Sequence, residues 1–189
     1  MARSGMYDLI LRVRNLTDTA GTAGTAIWTD EEIEDTLDDH KYRVHREELE
    51  REKTYLTNTT YEYRVFHSRY RDYEQGTAYF QVADSAGSAR VLTTDYTADY
   101  QRGVVTTVTD QAGTTLYLTG WSYDLNGAAA DLWRMRAGKV SSYYSVDMDG
   151  HRLSRSDWFK HCSEMAEMYD RRSRPVTVRP WRDGLVEDR

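Results

Sequence analysis

The chain has 189 residues, 30% of them Asp, Glu, Lys or Arg, and a mean hydropathy of -0.79, with no apolar run as long as a membrane span. Its 25 basic and 31 acidic residues leave a net charge of -6; that argues against a protein that coats nucleic acid with its whole surface, and suits a wall past which DNA slides without sticking. Cys162 is the single cysteine, which excludes an internal disulfide framework and a cysteine-built zinc site.

Met6, Leu9 or Ile10, Val13 and Leu16 recur at three- and four-residue steps and predict an amphipathic first helix. Arg12 breaks the apolar stretch Leu9-Ile10-Leu11, so no signal-peptide core is read there, and a chain folded in a cytoplasm is expected. Gly21-Thr22-Ala23-Gly24-Thr25 reads as a loop. It lacks the Lys-Ser or Lys-Thr that would make it a phosphate loop.

A second helix starts after Thr29, where Glu32 completes a capping box and Trp28 with Ile33 forms a hydrophobic staple. Asp30, Glu31 and Glu32 lie where the helix dipole favours negative charge. Ile33 and Leu37 face the core, and the helix fades near His40.

Residues 41–120 change to a strand pattern. Tyr61, Tyr63, Val65 and His67 alternate with Glu62, Arg64 and Ser68, the two-residue period of a half-buried strand. Two hairpins are expected. One joins Phe80-Gln81-Val82 to Ala89-Arg90-Val91-Leu92 through Asp84-Ser85-Ala86-Gly87. The other joins residues 104–109 to 114–118 through Asp110-Gln111-Ala112-Gly113. The charged stretch from Arg46 to Lys53 fits strand, helix or loop.

Helical spacing returns with Leu125, Ala129, Leu132 and Val140, and Ala128-Ala129-Ala130 would let a neighbouring helix approach closely. Gly138 weakens that helix by roughly 1 kcal/mol relative to alanine. Asp147-Met148-Asp149-Gly150 reads as a turn and Ser154 as a cap for a last helix with the core stripe Trp158, Cys162, Met165 and Tyr169. The tail holds Pro175 and Pro180, which favour extended chain. The expected fold is α+β: a helical scaffold from residues 1–40 and 121–172, an inserted antiparallel β-rich part at 41–120, and an extended tail at 173–189.

Candidate chemistry is thin. Asp147-x-Asp149-Gly150 echoes a calcium loop, but Ser145 and Ser156 stand where carboxylates are needed. Asp38, Asp39, His40 and His45 match no metal-ligand spacing, and neither do His151 and His161. Ser122 in Gly120-Trp121-Ser122-Tyr123-Asp124 lacks the second glycine of a nucleophile elbow, and Cys162 lies on an apolar stripe. The expectation is a non-enzyme without metal or cofactor.

Two surfaces stand out instead. Tyr61, Tyr63, Arg64, Phe66, Arg69, Tyr70, Arg71 and Tyr73 interleave aromatic and basic groups, as a surface for nucleic-acid or glycan stacking does, although a packed sheet with a wet arginine face gives the same pattern. The tail carries Arg171, Arg172, Arg174, Val176, Val178 and Trp181, a strip that can add as a strand or seat an aromatic anchor in a partner. The acidic set Asp30, Glu31, Glu34, Asp35 and Asp38 is its electrostatic complement.

Three stretches carry a resemblance. They are residues 27–37 (Ile27-Trp28-Thr29-Asp30-Glu31-Glu32 onward), residues 117–125 running into Ala128-Ala129-Ala130-Asp131-Leu132-Trp133, and Asp147-Met148-Asp149-Gly150 followed by Leu153-Ser154-Arg155-Ser156. Asp95-Tyr96-Thr97-Ala98-Asp99-Tyr100-Gln101-Arg102-Gly103-Val104-Val105 adds a weaker echo. In this order they resemble the head-to-tail adaptors, or connectors, of tailed phages and prophages; the long β-rich part departs from the compact helical members. The resemblance implies a ring, usually twelve-fold, docked on the portal protein, joining it to the tail or another neck protein, with DNA passing through. It implies a virion protein assembled in the host cytoplasm, with neither catalytic residues nor cofactor nor membrane partner. Head-completion and tail-terminator proteins are the neighbouring roles.

Overall fold

The computed structural model describes residues 2–17, 27–55, 61–141, 146–148, 151–153 and 155–173. The fold is mixed α+β, with helices near both ends of the chain flanking a central region of antiparallel sheet. A 3-10 turn, Ser4–Met6, leads into α1 (Tyr7–Leu16), whose Leu9, Ile10 and Val13 are buried. In α2 (Asp30–Asp39) the reciprocal cap forms: Thr29 Oγ1 accepts from Glu32 N–H at 3.2 Å, and the Glu32 carboxylate accepts from Thr29 N–H at 2.8 Å. Trp28, Ile33 and Leu37 are buried with α1 and with Tyr123, Leu125, Ala128 and Leu132 in a first core. Each such large apolar side chain contributes roughly 1.5–3 kcal/mol by leaving water.

The chain then enters two sheets. In the first, β1 (Lys41–Glu48), β7 (Leu116–Tyr123) and β4 (Phe80–Asp84) lie in the order β1-β7-β4. In the second, β2 (Glu50–Tyr55), β3 (Tyr61–His67), β6 (Val104–Thr107) and β5 (Tyr96–Asp99) lie in the order β2-β3-β6-β5. Neighbours within both sheets are antiparallel. Val44, Leu49, Phe66, Tyr73, Phe80, Val82, Tyr96, Val105, Leu116 and Leu118, drawn from both sheets and their links, form a second core.

The stretch from Arg46 to Lys53 is strand. It crosses from one sheet to the other at buried Leu49, next to a bulge in β1 where Arg46 takes a left-handed φ of 47°. An extra residue with that twist turns one strand into a corner.

Two expectations about pairing are corrected. The turn at 84–87 is present, but β4 meets the returning chain only at the Ala83–Ala89 bridge, and its full partner is β7. Residues 104–109 and 114–118 form no hairpin at all, since β6 pairs with β3 and β5 while β7 pairs with β1 and β4. Turn chemistry was right locally, and the buried partners on β7 and β3 decided the ladder. The burial expected for the Tyr61 row of β3 also changes: Tyr61 is exposed, Tyr63, Val65 and His67 are half-buried, and Phe66 on the opposite parity fills the core.

After β7, Asp124 starts α3 (Leu125–Ser141) by accepting from Asn126 N–H and Gly127 N–H. Ala129, Ala130, Trp133 and Ala137 meet Cys162, Ala166 and Tyr169 of α4 (Arg155–Arg172) in a third core. The small residues on both helices permit that close approach. The stripe on α4 is therefore Cys162, Ala166 and Tyr169, with Met165 and Met168 half-buried. Trp158, expected in the core, is exposed, its ring stacked on His161 at 5.5 Å with the Arg136 guanidinium 4.9 Å from its centre. Strands β8 (Val146–Met148) and β9 (His151–Leu153) pair antiparallel; the side chain of Val140, the Gly21–Thr25 loop, Asp149, Gly150 and the cap Ser154 lie outside the described residues.

Candidate interaction surfaces

α2 presents its acids to different neighbours. Asp30 bonds Arg14 at 2.6 Å, Glu34 bonds Arg3 Nε at 2.7 Å, and Asp38 bonds Arg3 at 2.6 Å and Lys41 at 3.4 Å. Glu31 and Asp35 are exposed. Much of the acidic face thus fastens the helix to its own chain.

Of the tail residues, Arg171 and Arg172 close α4. Arg171 reaches Glu167 at 3.4 Å, and Arg172 lies 6.0 Å from the centre of the Tyr169 ring. Ser173 Oγ donates to Asp124 Oδ2 at 2.6 Å, and Asp124 N–H donates to the carbonyl of His40. Ser173, the last described residue, therefore lies beside the C-terminal end of α2. Arg174, Val176, Val178 and Trp181 lie outside the described residues.

Of the aromatic and basic row, Tyr61, Tyr63, Arg64 and Phe66 lie on β3 beside β2, while Arg69, Tyr70, Arg71 and Tyr73 follow the strand. Tyr55 and Tyr61 meet edge to face at 6.3 Å, and Tyr61 and Tyr63 at 5.6 Å. Lys53 Nζ stands 3.7 Å from the centre of Tyr61, and the Arg51 guanidinium 5.6 Å from that of Tyr63. These cations cover ring faces on which a base or sugar would stack. Tyr73 and Phe66 belong to the core instead, Tyr73 sharing its hydroxyl with Ser68 at 2.6 Å. β2 is an edge strand, and all six of its residues are exposed.

Three of the groups weighed for chemistry have bonded partners or a buried place in the fold: His40, Ser122 and Cys162. His40 Nε2 is 2.7 Å from Asp131, which also bonds Arg134 at 2.6 Å, and Arg134 continues to Asp170 at 2.8 Å. Burial works against the Asp131 charge, but His40 and Arg134 outweigh it and hold the carboxyl below its ordinary range. Ser122 is buried and donates to Tyr42 Oη at 2.9 Å. Cys162 is buried, which pushes its thiol up. Among the described residues no three His, Cys, Asp or Glu gather in a metal-binding arrangement, and no helix is long and apolar enough to cross a membrane.

Sequence reasoning missed Glu74. It lies at the seam of helices and sheets with none of its surface exposed, and its Oε2 accepts from Tyr123 Oη at 2.6 Å. Its Oε1 has no hydrogen-bond partner; the nearest cation is Arg3 Nε at 3.6 Å. Burial pushes the Glu74 carboxyl above the usual range, with Tyr123 and Arg3 pulling the other way. Nothing local marks a lone acid between Tyr73 and Gln75 as buried.

No family model, curated protein or solved structure matches the chain.

Proposed function

We propose that this chain is a structural head-to-tail adaptor of a tailed phage, repeated in a ring that docks on the portal protein and works by contact instead of bond-making. The observation that carries the reading is the charge order of the β2 edge. Glu50 and Glu52 alternate with Arg51 and Lys53, so acids point to one face and bases to the other. A second copy pairing antiparallel about a two-fold axis brings like faces together: Arg51 would oppose Lys53, and Glu52 would oppose Glu52. Like charges directly opposite destabilise a strand pair. The edge thus resists a two-fold partner and aggregation. It accepts a strand of different sequence, the heterologous contact from which rings close.

The tail contributes a second contact, toward the portal or a neighbouring neck protein, through Arg174, Val176, Val178 and Trp181. Capture on immobilised portal protein tests this. Full-length protein is expected to bind. A chain ending at Ser173, which keeps its bond to Asp124, is expected to stay folded and lose binding. Equal binding by both would remove the tail from the interface, and binding to tail proteins alone would move the subunit to a tail-terminator role.

A further inference from the structure

The seam at Glu74 goes beyond this reading. Residues 2–6 lie across it. Arg3 bonds Glu34 and Asp38 of α2 by side chain, and its backbone N–H donates to Glu34 at 2.9 Å. Its guanidinium is thus committed to α2 and only approaches Glu74, 3.6 Å away. Two residues on, the Gly5 carbonyl accepts from Gln75 N–H at 3.1 Å, and the Gln75 side chain donates to Asp8 at 2.5 Å. Three carboxylates therefore share one guanidinium, and the innermost is buried with one oxygen that makes no hydrogen bond.

A buried carboxylate oxygen with no donor is costly as an anion and tolerable as an acid. When residues 2–6 lift away, water reaches Glu74 and the anion is solvated. We propose that residues 2–6 are a proton-linked strap: Glu74 carrying a proton lets the strap close over the seam of helices and sheets, and Glu74 as an anion drives it open. The groups facing Glu74 are Arg3 from the strap, Glu34 and Asp38 from α2, and Tyr123 from β7. Of these Arg3 resists opening, through Glu74 and through its bonds to Glu34 and Asp38; the bonds to α2 do not involve the Glu74 proton. A carboxyl whose closed-state affinity for a proton exceeds that of the open state makes opening rise with pH, starting near its ordinary value and levelling off above the closed-state value. Opening rises about tenfold for each unit between those values.

Amide hydrogen exchange of the full chain reads this directly, as the protection factor of Gln75 N–H from pH 5 to 8. The expected result is a fall of about tenfold or more, with the amides of β6 unaffected, and a flat profile in Glu74→Gln. Constant protection in the unaltered protein overturns the proposal, even if the variant fails to fold. So does an equal fall in Glu74→Gln.

Discussion

Gly5 crosses Gln75 so closely that a β-carbon on the glycine would overlap the Gln75 carbonyl oxygen. The obstacle is backbone and not the far end of a flexible side chain, and the chain beside it is tied by Gln75 N–H to the Gly5 carbonyl at 3.1 Å and by Glu74 N–H to the Trp121 carbonyl at 3.0 Å. Gly5→Ala is expected to cost about 1–3 kcal/mol, as overpacking does, measured as a lower urea midpoint. An unchanged midpoint would refute the crossing.

The two parities of β3 differ sharply. Phe66 is fully buried in the core shared by both sheets, and Tyr61 stands in solvent under Lys53. Phe66→Ala is expected to cost about 3–5 kcal/mol, and Tyr61→Ala about 0.5 kcal/mol or less, by denaturant unfolding of each variant. A larger cost at Tyr61 than at Phe66 would mean that the strand turns its other face inward.

Asp131 links stability to pH. A carboxyl held below its ordinary range stabilises the fold above the unfolded-state value, and that contribution is lost as pH falls through the folded-state value. Because the pair with His40 is part-exposed, Asp131→Asn should cost less than about 1 kcal/mol at neutral pH. The difference between the two proteins should shrink toward zero below about pH 4, in thermal melts across that range. A constant difference would mean that the cost is steric.

Arg51 and Lys53 project from an exposed strand, so the double change Arg51→Glu and Lys53→Glu should alter stability by no more than about 1 kcal/mol. On the proposed function it should also prevent subunits from closing on a portal. Light scattering of the mixture with portal protein checks this; an intact assembly would take β2 out of the contact.

Local chemistry was legible in the sequence. Thr29 and Glu32 act across three residues, so their pattern alone determines the cap, and the apolar steps of α1 and α2 survive unchanged. Partner choice was not. The turns after Asp84 and Asp110 look alike, yet β4 and β6 belong to different sheets, because β7 supplies Leu118 opposite Val82 while β3 supplies Phe66 opposite Val105. Such pairings join residues dozens of positions apart and leave no short-range mark. Glu74 is the extreme case, buried by a strap some seventy positions upstream. The acidic set on α2 was visible as charge, but its division between Arg3, Arg14 and Lys41 required the fold.

Electron microscopy of the protein mixed with assembled portal rings tests the contact role most directly. The expected image is a closed ring of this chain seated on the portal, each subunit meeting its neighbour through two different faces. Portals that remain bare at saturating protein, or two-fold pairs joined through β2, would contradict it.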